Sequence, residues 1–141
     1  MKIIRELRVT LDEFYDFLES EFLSHINASG QQDRRVKKVK KGLHYTTAPE
    51  DIYTKIDYEI LEYHRGERYV IQISSFTDKA TTSYTTKATA NGIEVTLEQE
   101  KAKINQPSKH KWFQGLSDFL YFGRLSEKLF KIEETIIKQR P

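Results

Sequence analysis

The side chains of this sequence best suited to act on a small molecule are phenols and short polar groups set among aliphatics. Tyr45, Tyr58, Tyr69, Ile71, Ile73, Tyr84, Thr86, Leu97 and Gln99 fall on one face of a run of alternating segments. Trp112 and Phe119 would join them from a later helical segment. A few hydroxyls and one amide placed in an apolar wall are the make-up of a ligand cavity. The chemistry to expect is sequestration, with the hydroxyls of Tyr45, Tyr58 and Tyr84 orienting the ligand. Ser75, Thr86, Ala88 and Ala90 are small and leave volume beside them. The competing reading is a filled core, in which Trp112, Phe113 and Phe119 occupy that volume themselves.

Covalent and metal chemistry find no motif. The chain has no cysteine, which removes disulfides, thiolate nucleophiles and Cys-based metal sites together. His25, His44, His64 and His110 stand far apart, without ligand-type spacing. No nucleophile elbow, phosphate loop or dinucleotide fingerprint occurs. No acid lies on the inward face, and only Lys41 and Lys101 point there, near strand ends where lysines reach back to solvent. No catalytic residue, metal ligand or cofactor is assigned.

The rival signal is a basic run. Arg34, Arg35, Lys37, Lys38, Lys40 and Lys41 stand within eight residues, in a chain whose net charge is only +2. Such a cluster can track phosphates, but no aromatic residues interleave it to stack bases. Nucleic acid is therefore not the expected partner. Val36 and Val39 suit an edge strand guarded by lysines. The acidic residues Asp12, Glu13, Asp16, Glu19 and Glu21 of the preceding segment are expected to neutralise part of the run.

These residues need elements to hold them. Ile3, Leu7 and Val9 alternate with charged residues as a half-buried strand does. Thr10-Leu11-Asp12-Glu13 is a capping box. Leu11, Phe14, Leu18, Phe22 and Ile26 then follow at helical spacing. The helix is expected to run to about Ser24, with Asn27 to Gln32 forming a loop. From Leu43 to Lys103 the pattern is a β-meander, punctuated at Ala48-Pro49-Glu50-Asp51, Arg65-Gly66, Thr77-Asp78 and Asn91-Gly92. Asn-Gly predicts a type I′ turn, in which both central residues take positive φ.

Turns centred on those residues predict a register. Ile60 pairs with Ile71 and Tyr58 with Ile73; Ile73 faces Thr82 and Ile71 faces Tyr84; Ala88 faces Val95 and Thr86 faces Leu97; Tyr45 lies beside Thr54. Val39, Leu43, Tyr45, Ile56, Tyr58, Ile60, Ile71, Ile73, Val95 and Leu97 then share the inner face. Lys55, Asp57, Glu59, Lys87, Glu94, Glu98 and Glu100 share the outer one. From Ser108 the period becomes helical through Trp112, Leu116, Phe119, Leu125, Leu129, Ile132 and Ile136. At about 30 residues this helix would span ~45 Å and cross the sheet. Gly115 and Gly123 interrupt it, each costing roughly 1 kcal/mol against alanine.

The segment Val9-Thr10-Leu11-Asp12-Glu13-Phe14-Tyr15-Asp16-Phe17-Leu18 resembles the opening strand-to-helix passage of the START-like helix-grip superfamily, the birch-allergen and polyketide-cyclase-like group. The order strand, helix, meander, long helix extends that resemblance over nearly the whole chain. It is also similar to a small bacterial branch of unknown function. The resemblance implies an α+β fold in which a curved antiparallel sheet of about six strands wraps a C-terminal helix, often around a hydrophobic cavity. It leaves the chemistry open, because the superfamily includes lipid-transfer domains, hormone binders, cyclases and co-chaperone activators. In one departure, residues 27–35 are too polar for the second short helix that usually follows the first strand.

The sequence thus predicts one cytoplasmic domain over residues 1–141, without a secretory leader or an apolar run long enough to span a bilayer. Its leading function is to bind a small, mainly apolar molecule between sheet and C-terminal helix. The alternatives are a regulatory interaction module with a filled core and, third, a cyclase- or hydrolase-like enzyme.

Overall fold

The computed structural model describes residues 1–103 and 125–141. Strand β1 (Lys2–Leu7) leads into helix α1 (Leu11–Ala28). Strands β2 (His44–Thr47), β3 (Ile56–His64), β4 (Arg68–Ser74), β5 (Asp78–Thr89) and β6 (Gly92–Lys103) follow, and helix α2 (Leu125–Lys138) closes the described chain. The six strands form one antiparallel sheet in the order β1-β6-β5-β4-β3-β2. Both helices pack on its apolar face, the helix-grip layout expected from the sequence. The predicted helical stretch 108–124 lies outside the described residues, and with it Trp112, Phe113, Phe119, Gly115, Gly123 and His110.

Helix α1 begins where its cap dictates. The Glu13 amide donates to Thr10 Oγ1 at 3.0 Å, and the Thr10 amide donates back to Glu13 Oε1 at 2.9 Å. The helix continues to Ala28, four residues beyond the expected end near Ser24, because Phe22 and Ile26 extend its buried stripe. Tyr15 is buried as fully as Phe14. Its hydroxyl donates to Thr86 Oγ1 at 2.7 Å, and Thr86 donates in turn to the Gly66 carbonyl at 3.1 Å. That relay ties α1 to the β3–β4 hairpin.

The inner and outer faces of the sheet come out as predicted, yet most of the register does not. The pairs Tyr58–Ile73 and Ile60–Ile71 are observed, with a bulge between Ile60 and Glu62. Ile71, however, faces Thr82 and Tyr69 faces Tyr84. Thr86 faces Val95, Tyr84 faces Leu97 and Tyr45 faces Tyr58. The slips between β2 and β3, β4 and β5, and β5 and β6 are even numbers of residues, which leaves those side chains on their faces, whereas the one-residue bulge in β3 turns Tyr63 inward against Tyr15 and Tyr69.

The turn chemistry explains the slips. The β4–β5 turn closes on Phe76 and Thr77 because Ser75 Oγ accepts the amides of Thr77 and Asp78 at 3.3 and 3.1 Å. The Ser75 amide also donates to the Asp78 carbonyl at 2.7 Å. Between β2 and β3 the connection runs through a turn held by Asp51, which accepts Lys55 N–H on its carbonyl and Tyr53 N–H on its side chain. The β5–β6 turn uses Ala90 and Asn91, with Gly92 already in β6. Asn91 has no positive φ, so the predicted type I′ turn does not form. Gly92 serves another purpose: a Cβ there would lie 2.0 Å from the Leu7 carbonyl oxygen.

One further expectation is overturned. The basic run is an irregular connector rather than an edge strand; the edges are β1 and β2. Asn27 holds the connector through both polar atoms of its amide, on the Val36 N–H and carbonyl at 2.8 and 3.0 Å. Gln31 covers the open edge of β2 in the same way at Thr46. The acids of α1 also make their direct ion pairs elsewhere than with the run, although Asp16 and Glu19 share a hollow with Arg35 and Lys37. Arg65 takes Asp16 at 2.7 Å, Glu19 at 3.0 Å and Asp12 at 3.4 Å, and Arg140 takes Glu13. Among the described residues, no ion pair joins the run to α1.

Glu13 therefore works twice, as cap partner and as clamp for the C-terminus. The Arg140 guanidinium and the Thr10 amide draw its carboxyl down from an ordinary 4.5 to about 2. A carboxyl whose folded pKa is depressed adds stability that is fully present above pH 4.5 and is lost as the pH falls towards 2. Glu13→Gln is expected to lower stability near neutrality by about 1 kcal/mol, solvent screening included. It should also flatten the acid limb in that window, measured by urea unfolding against pH. An unchanged acid limb would exclude the clamp.

Candidate functional site

Where α1 and α2 meet the middle of the sheet, they leave a recess of about 430 Å³. Helix α1 supplies Phe17, Leu18, Glu21, Phe22 and His25. The sheet supplies Tyr45, Tyr58, Tyr69, Ile71, Ile73 and Tyr84, and α2 supplies Lys128, Lys131, Ile132 and Thr135. Alternation explains the sheet contribution, since cross-strand partners on one face stand side by side. Tyr45 faces Tyr58 and their rings stack at 4.6 Å and 12°. Tyr69 faces Tyr84 with ring centres 5.9 Å apart, edge to face. Phe22 meets Tyr45 edge-on at 5.2 Å.

Six predicted residues thus come together here: Tyr45, Tyr58, Tyr69, Ile71, Ile73 and Tyr84. Three stand elsewhere. Thr86 is taken up by the Tyr15–Gly66 relay, and Leu97 is wholly buried in the core. Gln99 donates to Thr82 Oγ1 at 2.9 Å and leaves its carbonyl oxygen buried and unpaired. Trp112 and Phe119 lie outside the described residues. Lys41 and Lys101, expected to point inward, are exposed. Ala88 and Ala90 are exposed as well, at the β5–β6 turn.

The charged rim was missed because strand alternation says nothing about helices. Glu21 and His25 flank the α1 stripe at helical spacing, as Lys128 and Lys131 flank the stripe of Leu125, Leu129, Ile132 and Ile136. A helical wheel centred on those stripes would have found them. His25 Nε2 stands 3.5 Å from Glu21 Oε2, and both side chains are more than half exposed. The Lys128 ammonium lies 5.9 Å from the centre of the Tyr84 ring.

Burial pushes the phenols of Tyr45, Tyr58 and Tyr69 above the ordinary tyrosine range. They remain neutral hydroxyls near pH 7, able to donate or accept a hydrogen bond but not to act as bases. The hydroxyls of Tyr45, Tyr69 and Tyr84 make no hydrogen bond to another described residue. Among the described residues no cluster of His, Cys, Asp and Glu has metal-ligand geometry, and no helix is long and apolar enough to cross a membrane. A larger hollow of about 760 Å³ lies on the far side of α1, but Asp16, Glu19, Ser20, Ser24, Asn27, Arg35 and Lys37 make it polar.

A six-stranded antiparallel sheet gripping its helices around an aromatic recess is a helix-grip fold. The chain belongs to the family of domains of unknown function DUF3284, whose model matches residues 1–120. No curated protein matches it in sequence. Among solved structures it is similar to an uncharacterised protein from Rhizobium leguminosarum, at 8% identity and a TM-score of 0.64 over 99% of this chain and 94% of that one. It is also similar to Ara h 8.0201, at 12% identity and a TM-score of 0.62 over 99% and 97%. The protein of unknown function SA2116 from Staphylococcus aureus gives 12% and 0.59 over 99% and 95%. At such identities the likeness is one of fold alone.

Proposed function

We propose that this domain binds a small, mainly apolar molecule in the recess between α1, α2 and strands β2 to β5. The observation that carries the reading is the recess itself. Its volume lies within the ~300–1,000 Å³ of small-molecule sites, and its walls are aromatic and aliphatic with a few neutral hydroxyls, as such sites are. The START-like resemblance of the sequence supports the same reading. The mechanism is sequestration. Ile71, Ile73, Leu18 and Ile132 take the apolar body, the Tyr45–Tyr58 stack offers a flat wall, and phenolic hydroxyls fix orientation. Glu21 and His25 are too exposed for the water-excluded proton transfer that general acid–base work favours, so the geometry supports binding better than turnover.

Native mass spectrometry of protein purified from its own host tests this. A co-purifying mass of a few hundred daltons is the expected result. A clean spectrum, together with no thermal shift from a panel of fatty acids, fatty alcohols, sterols and flat aromatics, would overturn the reading. Tyr45→Phe should weaken the ligand about three- to tenfold, the worth of one hydrogen bond. It should leave the melting temperature unchanged, because that hydroxyl has no partner among the described residues. Titration calorimetry beside a melting curve separates the two effects.

A further inference from the structure

We infer that the ligand of this recess is an anionic amphipath, its carboxylate or similar head held by Lys128 and Lys131 at the α2 rim and its apolar tail against the tyrosine wall. This rests on the recess being a binding site and adds the charge of what it takes.

The two lysines stand one helical turn apart, on the side of α2 that also presents Ile132 and Thr135 to the recess. Both line the recess and both are exposed, the setting in which long cationic side chains lay their stems on apolar surface and keep their charge towards water. Neither forms an ion pair with a described residue. The acids of their own helix are mostly placed otherwise: Glu134 holds Lys138 at 2.8 Å and feels Lys131 only as a lesser charge, Glu133 accepts the Arg8 amide at 2.6 Å, and Glu127 is exposed. Among the described residues the one carboxylate that faces them in the recess lining is Glu21 of α1, which has His25 at 3.5 Å and no ion pair to either lysine. The α2 rim therefore keeps two positive charges without an ion pair among the described residues above an apolar pocket, Lys128 beside the face of the Tyr84 ring. A neutral ligand would bring neither ammonium group an anion, and a cationic one would meet them directly.

Three matched chains discriminate these cases by calorimetry in low salt: decanoate, decanol and decylamine. Decanoate should bind about tenfold more tightly than decanol, the increment of a charge-assisted hydrogen bond. Decylamine should bind most weakly. The double variant Lys128→Gln/Lys131→Gln should bring decanoate down to the level of decanol and leave decanol unchanged. Equal binding of decanoate and decanol overturns the anionic head and leaves the recess standing. Tightest binding of decylamine does the same and points to Glu21. A preference for decanoate that survives in the double variant overturns the assignment to these lysines. Silence of all three chains beside a stabilising sterol or flat aromatic rejects the amphipath alone. Silence of every compound rejects the recess and this inference together.

Discussion

Gly92→Ala is expected to lower the melting temperature by roughly 10 °C, the equivalent of about 3 kcal/mol for a chain of this size. An added Cβ would sit 2.0 Å from the Leu7 carbonyl oxygen, 3.0 Å from its carbonyl carbon and 3.1 Å from the Arg8 Cα. All three atoms are backbone, so no rotamer change relieves the clash. The end of β1 must separate from β6 at the pair Leu7–Ile93. Leu7, Val9 and Ile93 are among the most deeply buried residues of the core, so water would enter where the protein is driest. Asn91→Ala is the matched control. A type I′ turn would penalise alanine at Asn91, but without a positive φ there the change should cost less than about 0.5 kcal/mol. A Gly92→Ala protein as stable as the parent, or an Asn91→Ala protein as damaged as Gly92→Ala, would contradict this account of the turn.

Ile71→Trp should abolish ligand binding, raising the Kd at least about tenfold while the protein stays folded. Ile71 is half-buried, lies between Ile60 and Thr82 on the inner face, and borders the recess. An indole there fills volume a ligand needs. Overpacking a closed core costs typically ~1–3 kcal/mol, but this side chain has space to enter, so the loss of stability should fall at the low end. The readout is the stabilisation by decanoate, which follows the ratio of free ligand to Kd. It should disappear in the variant at concentrations that raise the melting temperature of the parent. Undiminished stabilisation would place the ligand elsewhere, the polar hollow beside Arg35 and Lys37 being the next site to probe.

Much of the fold was legible because its signals are local. The capping box needs only Thr10 and Glu13, and it forms with both hydrogen bonds. The faces of the strands follow from alternation, which is why Tyr45, Tyr58, Tyr69, Ile71, Ile73 and Tyr84 share one face and line one recess. Thr86 and Leu97 lie on the correct face but outside the recess. Thr86 is drawn away by Tyr15, a residue that stands beside the main apolar stripe of α1 and whose contact with β5 no spacing rule reports.

What the sequence determined by itself was the element order and the two faces of the sheet, since both follow from short-range periodicity and turn residues. Register, the role of Gly92 and the charged rim were decided only by tertiary structure. A two-residue slip keeps every side chain on its face, so hydrophobic pattern cannot detect it; the Ser75 and Asp51 hydrogen bonds choose among the possible registers. Gly92 reads as a turn glycine until β1 is laid across it. Lys128 and Lys131 read as solvated helix residues until α2 is set against a sheet, where packing of distant elements makes them the rim of a recess.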